Sequence, residues 1–257
     1  MFEGSGKPLS EAGLAKAATD LGVGLPALWA VMTVETKGCG FLPDRRPLVL
    51  FERHVFHKRT NGTFDAEAPD LSDSKAGGYG AGGAFQHDRL ARAIELDRTA
   101  ALESASWGLG QVMGYNAASV GYGDVEKMVQ AMCDSEDAQF QGMVGFIKAN
   151  NLSQILQQGD WETFARRYNG PDFRKNRYDE KLAQEHTRYV KGPLPDLKLR
   201  AAQLRLTYLG FNPGPVDGWS GRRTRDALSQ FQTSRKLPVT GELDGATLSA
   251  MEATQLA

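Results

Sequence analysis

The chain is poor in cysteine: Cys39 and Cys133 are the only two in 257 residues, and they form no CxxC pair. A thiolate zinc site and a disulfide framework are thereby disfavoured, and one Cys39–Cys133 bridge is the most that could form. Long apolar runs are missing too. The longest, about residues 24–34, falls well short of the ~20 residues a bilayer crossing needs, so no stable membrane insertion is expected. The N-terminal stretch MFEGSGKPLSEAG has no basic segment leading into an apolar core, and no Sec signal is expected. Charge of one sign is scarce, with a net charge of −1. From Leu197 onward there are 8 Lys/Arg against 5 Asp/Glu, and the remainder is acidic. So small a basic excess, without interleaved aromatics, does not make a nucleic-acid surface. The glycine-rich stretch SKAGGYGAGGAF (74–85) lacks the Gly-Lys-Ser/Thr of a phosphate loop. It reads as a mobile surface loop or, functionally, as a cleft edge carrying Tyr79.

What remains is the composition of an ordinary soluble globular protein, 41% hydrophobic and 24% charged. The length suits one large domain or two modest ones. KGPLPD (191–196) is the clearest boundary, with two prolines and a glycine between periodic segments. It divides residues 1–190, read as mainly α with a small β element, from 197–257, read as a three-helix bundle. In the first part Ser10 can cap a helix to about Leu21, and Pro26 suits the first turn of the next. PLVLFERHVF (47–56) reads as a strand. Phe140, Met143, Val144 and Ile147 form one helical face, as do Trp161, Phe164, Ala165 and Tyr168, where the helix should stop at Asn169-Gly170-Pro171. A further helix is expected from about Asn176 to Tyr189. In the second part helices are expected near 197–209, 221–236 and 245–253. Two turns there echo each other, DGWSGRRTRDAL (217–228) and TGELDGATLSAM (240–251), each placing a Thr just inside a helix.

LWAVMTVETKGCGF (28–41) raises the chemical question. Leu28, Val31, Met32 and Glu35 stand at i, i+3, i+4 and i+7, so an acid occupies a position that the pattern assigns to core. Near a helix C-terminus Glu35 faces the negative end of the dipole, and its apolar neighbours would desolvate it. Both effects raise a carboxyl pKa. An acid that keeps its proton near neutrality is what glycoside cleavage requires, to protonate the leaving oxygen. A surface Glu at a frayed helix end is the plain alternative.

Other segments then add weight. Glu35, Ser106–Gly108–Leu109–Gln111–Met113 and Ala165–Tyr168–Asn169 follow the order that marks goose-type lysozymes and soluble lytic transglycosylases. PLVLFERHVF, ALESASWGLGQVMGYN, DWETFARRYNGP and NRYDEKL more closely resemble the N-acetylmuramidase family of phage and prophage endolysins, over about residues 10–190. The C-terminal part resembles the peptidoglycan-binding module through Asp217, Gly218, Gly221 and Thr224, with Trp219 between them. It follows the catalytic part here, whereas in related endolysins it often precedes it.

The resemblance implies a lysozyme-like fold. It implies an enzyme released by a holin from the host cytoplasm to act on bacterial peptidoglycan; no cofactor or metal is implied, and a monomer is expected. Glu35 becomes the general acid, with Gln111, Met113, Tyr115, Asn116, Tyr168 and Asn169 contacting sugar or holding the acid. Tyr168 also continues a core face. Glu52 is the candidate second carboxylate, orienting water or stabilising positive charge on the sugar, or else paired with Arg53 or His54. His54 and His57 form an HxxH pair, but a strand would point them to opposite faces, which opposes shared metal ligation. A lytic transglycosylase and a non-catalytic wall-binding protein are the competing functions.

Overall fold

A computed structural model describes residues 2–36 and 38–254. In chain order the elements are α1 (Glu11–Leu21), α2 (Leu25–Glu35), β1 (Val49–Phe51), α3 (Arg53–Arg59), α4 (Ala84–Leu96), α5 (Arg98–Glu103), β2 (Ala105–Trp107) and β3 (Val112–Met113). There follow α6 (Val125–Asp134), α7 (Glu136–Ala149), α8 (Ser153–Gln157), α9 (Trp161–Asn169), α10 (Tyr178–Lys191), α11 (Leu197–Tyr208), α12 (Arg222–Ser234) and α13 (Gly245–Ala253). The fold is mainly α with one small antiparallel sheet, ordered β1-β2-β3.

Local chemistry accounts for the helix ends. Ser10 caps α1 by accepting from Gly13 N, and Pro26 occupies the first turn of α2. Asp160 caps α9 by accepting from Thr163 N, and Gly170, at φ +82°, follows its last residue. Strands this short are marginal alone. They are held in register by Leu50↔Ser106 and Ser106↔Met113, and by the buried Gln86 of α4, whose Oε1 accepts from Phe51 N.

The strand expected over 47–56 is corrected. It ends at Phe51, and Arg53–Arg59 is helical, with Glu52 as the N-cap residue of α3. The apolar residues Val49–Phe51 make the strand, and the polar Glu52-Arg53-His54 in the middle of the segment mark the change to helix. His54 and His57 therefore sit three apart on a helix, where neighbouring side chains share a face, and the strand argument against joint ligation does not apply. Each has its own neighbour instead: His57 Nδ1 lies 2.8 Å from Asp65 Oδ2 and His54 Nδ1 3.2 Å from Glu52 Oε2. Among the described residues no group of three or more His, Cys, Asp and Glu could hold a metal ion. Cys39 and Cys133 are both free thiols.

Two apolar cores build the first part of the chain. One gathers α1, α2, α7, α9 and α10 around Leu28, Val31, Met32, Phe140, Phe164 and Leu182. The other packs the sheet against α3 to α6 around Phe51, Phe56, Leu90, Trp107 and Met132. A third core, Leu199, Ala202, Leu206, Leu228, Phe231 and Met251, closes the three C-terminal helices. The Pro/Gly segment is short; Lys191, Gly192 and Pro193 are exposed, whereas Leu194 and the following Leu197 lie against the first core and Asp196 N donates to Gly218 O at 3.1 Å. No single described helix is long and apolar enough to cross a membrane; α1 and α2 meet that test only jointly, across a 104° bend.

Candidate active site

Glu35 is the last residue of α2. Its helix is apolar on nearly every side, and Leu28, Trp29, Ala30, Val31 and Met32 are all buried. The carboxyl is half-buried at the edge of that core. Asn169, at the end of α9, donates from Nδ2 to Glu35 Oε1 at 3.0 Å. Burial pushes the Glu35 carboxyl up from 4.5 to about 7, against the opposing pull of the Asn169 hydrogen bond and the positive charge of Lys181. Tyr168 stands beside it, stacked on Phe164 at 5.3 Å and edge-on to Phe146 at 5.4 Å. Burial, with the Glu35 charge next, pushes that phenol well above its ordinary range. Tyr168 thus belongs to the core edge: its ring packs inward while its neighbour Asn169 reaches the acid.

The turn between β2 and β3 is pinned from below. Gly108 (φ +66°) opens it, and a Cβ there would stand 2.6 Å from the Gln139 side chain. The Gln139 amide is fully buried; Oε1 accepts from Leu109 N at 2.8 Å while Nε2 donates to Met132 O and Gly40 O. Leu109 enters the same core as Leu28 and Met32. Gln111 adopts φ +47°, an uncommon conformation for a side-chain-bearing residue. Its Oε1 accepts from Ser106 Oγ and its Nε2 donates to Gly108 O, so the amide braces the turn. Met113 and Asn116 are half-buried, and Tyr115 is exposed with the Arg59 guanidinium 5.5 Å from its ring centroid.

Glu52 lies on the sheet side. Its Oε1 accepts from Tyr79 OH at 3.3 Å, and its Oε2, near His54, lacks hydrogen-bond geometry to any partner. The glycine-rich loop is not free. Arg53 Nε donates to Lys75 O, and Gln86 Nε2 and Arg89 Nη1 both donate to Tyr79 O.

In the C-terminal part the echo of two turns has a physical cause. Gln203, fully buried, accepts on Oε1 from Asp217 N and Gly218 N and donates from Nε2 to Asp217 Oδ1, Trp219 O and Thr224 Oγ1. Gln232 does the same for the second turn, with Thr240 N and Gly241 N on Oε1 and Thr240 Oγ1, Glu242 O and Thr247 Oγ1 on Nε2. Asp217, Gly218 and Thr224 are therefore engaged inside a turn. The Trp219 ring carries the Arg188 guanidinium of α10 at 5.1 Å. The two buried glutamines and Gln139 escaped sequence reading, since an amide within an apolar helix face looks like an ordinary polar position.

A proton-retaining acid at a helix end, beside an aromatic and held by an amide, sits in a mainly α, lysozyme-like domain beside a three-helix domain. Two family matches and a solved relative place the chain in the class of peptidoglycan-cleaving enzymes that carry a wall-binding domain. Residues 24–190 match the N-acetylmuramidase family, and residues 196–251 match the family described as "Putative peptidoglycan binding domain". The chain belongs to the N-acetylmuramidase family. It is also similar to the crystal structure of the endolysin of Burkholderia phage AP3, 41% identical over 72% of each chain, with a TM-score of 0.68. No curated protein matches it.

Proposed function

We propose that the chain is a phage endolysin that hydrolyses the β-1,4 bond between N-acetylmuramic acid and N-acetylglucosamine. Glu35 is the general acid in this reading. The observation that carries it is the half-buried Glu35 carboxyl, raised to about 7 and hydrogen-bonded to Asn169. The Glu35 proton passes to the glycosidic oxygen as the C1–O bond breaks, leaving oxocarbenium-like charge on the muramic acid ring. The carboxylate left behind is the form that the Asn169 N–H and the Lys181 charge favour. It then takes a proton from the water that adds to C1, which restores the acid. Glu52, engaged by Tyr79 and flanked by His54, supports the cleft edge in this reading and does not transfer a proton. Similarity to the AP3 phage endolysin and the wall-binding match support release of the enzyme onto peptidoglycan at the end of infection.

Mass spectrometry of digested peptidoglycan is the test. Hydrolysis leaves reducing muramic acid ends that carry the added water. Products lighter by one water would instead show that the muramic acid 6-hydroxyl had closed on C1, as in a lytic transglycosylase. Sacculi bound but not cut by the wild type would point to a non-catalytic wall-binding protein.

A further inference from the structure

Arg200, Leu204 and Tyr208 recur at i, i+4 and i+8 on α11, one face of the first helix of the C-terminal domain. All three meet the catalytic domain. Leu204 is fully buried with Phe41 and Val216, and Tyr208 OH donates to Gly6 O at 2.8 Å. Arg200 is 1% exposed and forks onto the wholly buried Glu136 of α7, Nη1 to Oε2 at 2.6 Å and Nη2 to Oε1 at 3.0 Å. Each Glu136 oxygen also accepts a backbone N–H, Oε2 from Leu9 and Oε1 from Gly40. A tether that only holds an enzyme near its polymer needs no such pair, because burying two charges is costly unless every bond is made.

The pair grips the main chain just beyond Glu35. Arg200 Nη2 donates to Gly38 O at 2.6 Å, while Glu136 holds Gly40 N at 3.0 Å. Gly38 N donates to Thr36 Oγ1, which in turn donates to Met32 O at 2.7 Å and closes the last turn of α2. Gly38 has φ +97°, and a Cβ there would meet Val216 O of the C-terminal domain at 3.4 Å, so the two backbones approach closely. Arg200, Gly38, Thr36 and Met32 thus form one hydrogen-bonded line from the wall-binding domain to the turn that carries Glu35.

We propose that Arg200 is a positioning residue for Glu35, so that the C-terminal domain is a working part of the active site as well as an anchor. This rests on Glu35 being the acid. Lysine at 200 would keep the charge but lose the planar fork that serves Glu136 and Gly38 together.

The experiment uses the full chain and a soluble, uncrosslinked glycan oligomer of alternating N-acetylglucosamine and N-acetylmuramic acid, to which wall anchoring contributes nothing. Kcat, KM and the pH profile are measured for wild type, Arg200→Lys and Arg200→Met/Glu136→Gln, the double variant leaving no buried charge unpaired. Sacculus pull-down and circular dichroism run alongside. Both variants are expected to bind sacculi as wild type does and to lose about tenfold or more in kcat, as small misplacement of a catalytic group does. KM should change little, and the basic limb of the profile should move to lower pH as water reaches the carboxyl. A folded variant of either kind that keeps the wild-type kcat and basic limb overturns the proposal. Glu35→Gln is assayed in parallel: activity retained there means that the reading of Glu35 failed, whereas an inactive Glu35→Gln beside a fully active Arg200→Lys means that only the positioning role failed.

Discussion

Glu35→Gln should make the protein inactive and, above neutrality, more stable. A carboxyl raised from 4.5 to about 7 binds its proton more tightly in the folded than in the unfolded chain. Its contribution to stability is therefore complete below pH 4.5 and is lost as pH rises through about 7. At about 1.4 kcal/mol per pH unit, that range amounts to about 3 kcal/mol of stability forfeited in alkaline solution. Glutamine has nearly the same shape, carries no charge at any pH and still offers its carbonyl to the Asn169 N–H. The variant and wild type should then be nearly equal at pH 4 and differ by about 3 kcal/mol at pH 8.5, or about 6–12 °C in Tm for a chain of this size. Urea unfolding at pH 4, 6 and 8.5, followed by circular dichroism, reads the difference directly, because other titrating groups cancel between the two proteins. An offset that stays constant across the three pH values would refute the reasoning, for it would mean that Glu35 titrates no differently in the fold. Activity toward glycan should fall by about a hundredfold to ten-thousandfold, the usual weight of a general acid.

Asn169→Ala removes a hydrogen bond that holds the Glu35 pKa down, so the basic limb of the kcat/KM profile should move to higher pH; a limb that moves lower contradicts the assigned direction. Glu52→Gln should keep activity within about tenfold, because Tyr79 and His54 already occupy its surroundings and a merely supporting group contributes less than a general acid; a loss as deep as that of Glu35→Gln would make it a second catalytic carboxylate. Gln203→Ala strands Asp217 N and Gly218 N, which should cost about 2–4 kcal/mol in urea unfolding and sharply reduce sacculus binding; unchanged stability would show that the amide does not hold the turn.

Glu35 stood out by its spacing because it breaks an apolar helix face, and Tyr168 and Asn169 by a helix stop marked by Gly170-Pro171; the family resemblance supplied the roles expected of them. Helix limits in both halves followed from caps and punctuation, which are local. Glu52 was placed on the wrong element because Phe51 and Arg53 lie on either side of a strand-to-helix change within one segment rich in apolar and aromatic residues. Gln111 was legible as a candidate from its motif, but its bonds to Ser106 Oγ and Gly108 O, which brace its own turn, were not.

The sequence alone determined the local features that made candidates for the chemistry: an acid on an apolar stripe, a helix stop with an amide, and two glycine turns that start helices. Each depends on residues within a few positions of one another, where backbone geometry dictates neighbours. Only the tertiary structure decided that Asn169 reaches an acid 134 residues away, that Gln203 gathers the turn at 217–224, and that Arg200 finds Glu136 across 64 residues. Those partners meet through the packing of separate helices, and a buried polar group is told from an exposed one only after the surfaces that cover it have closed.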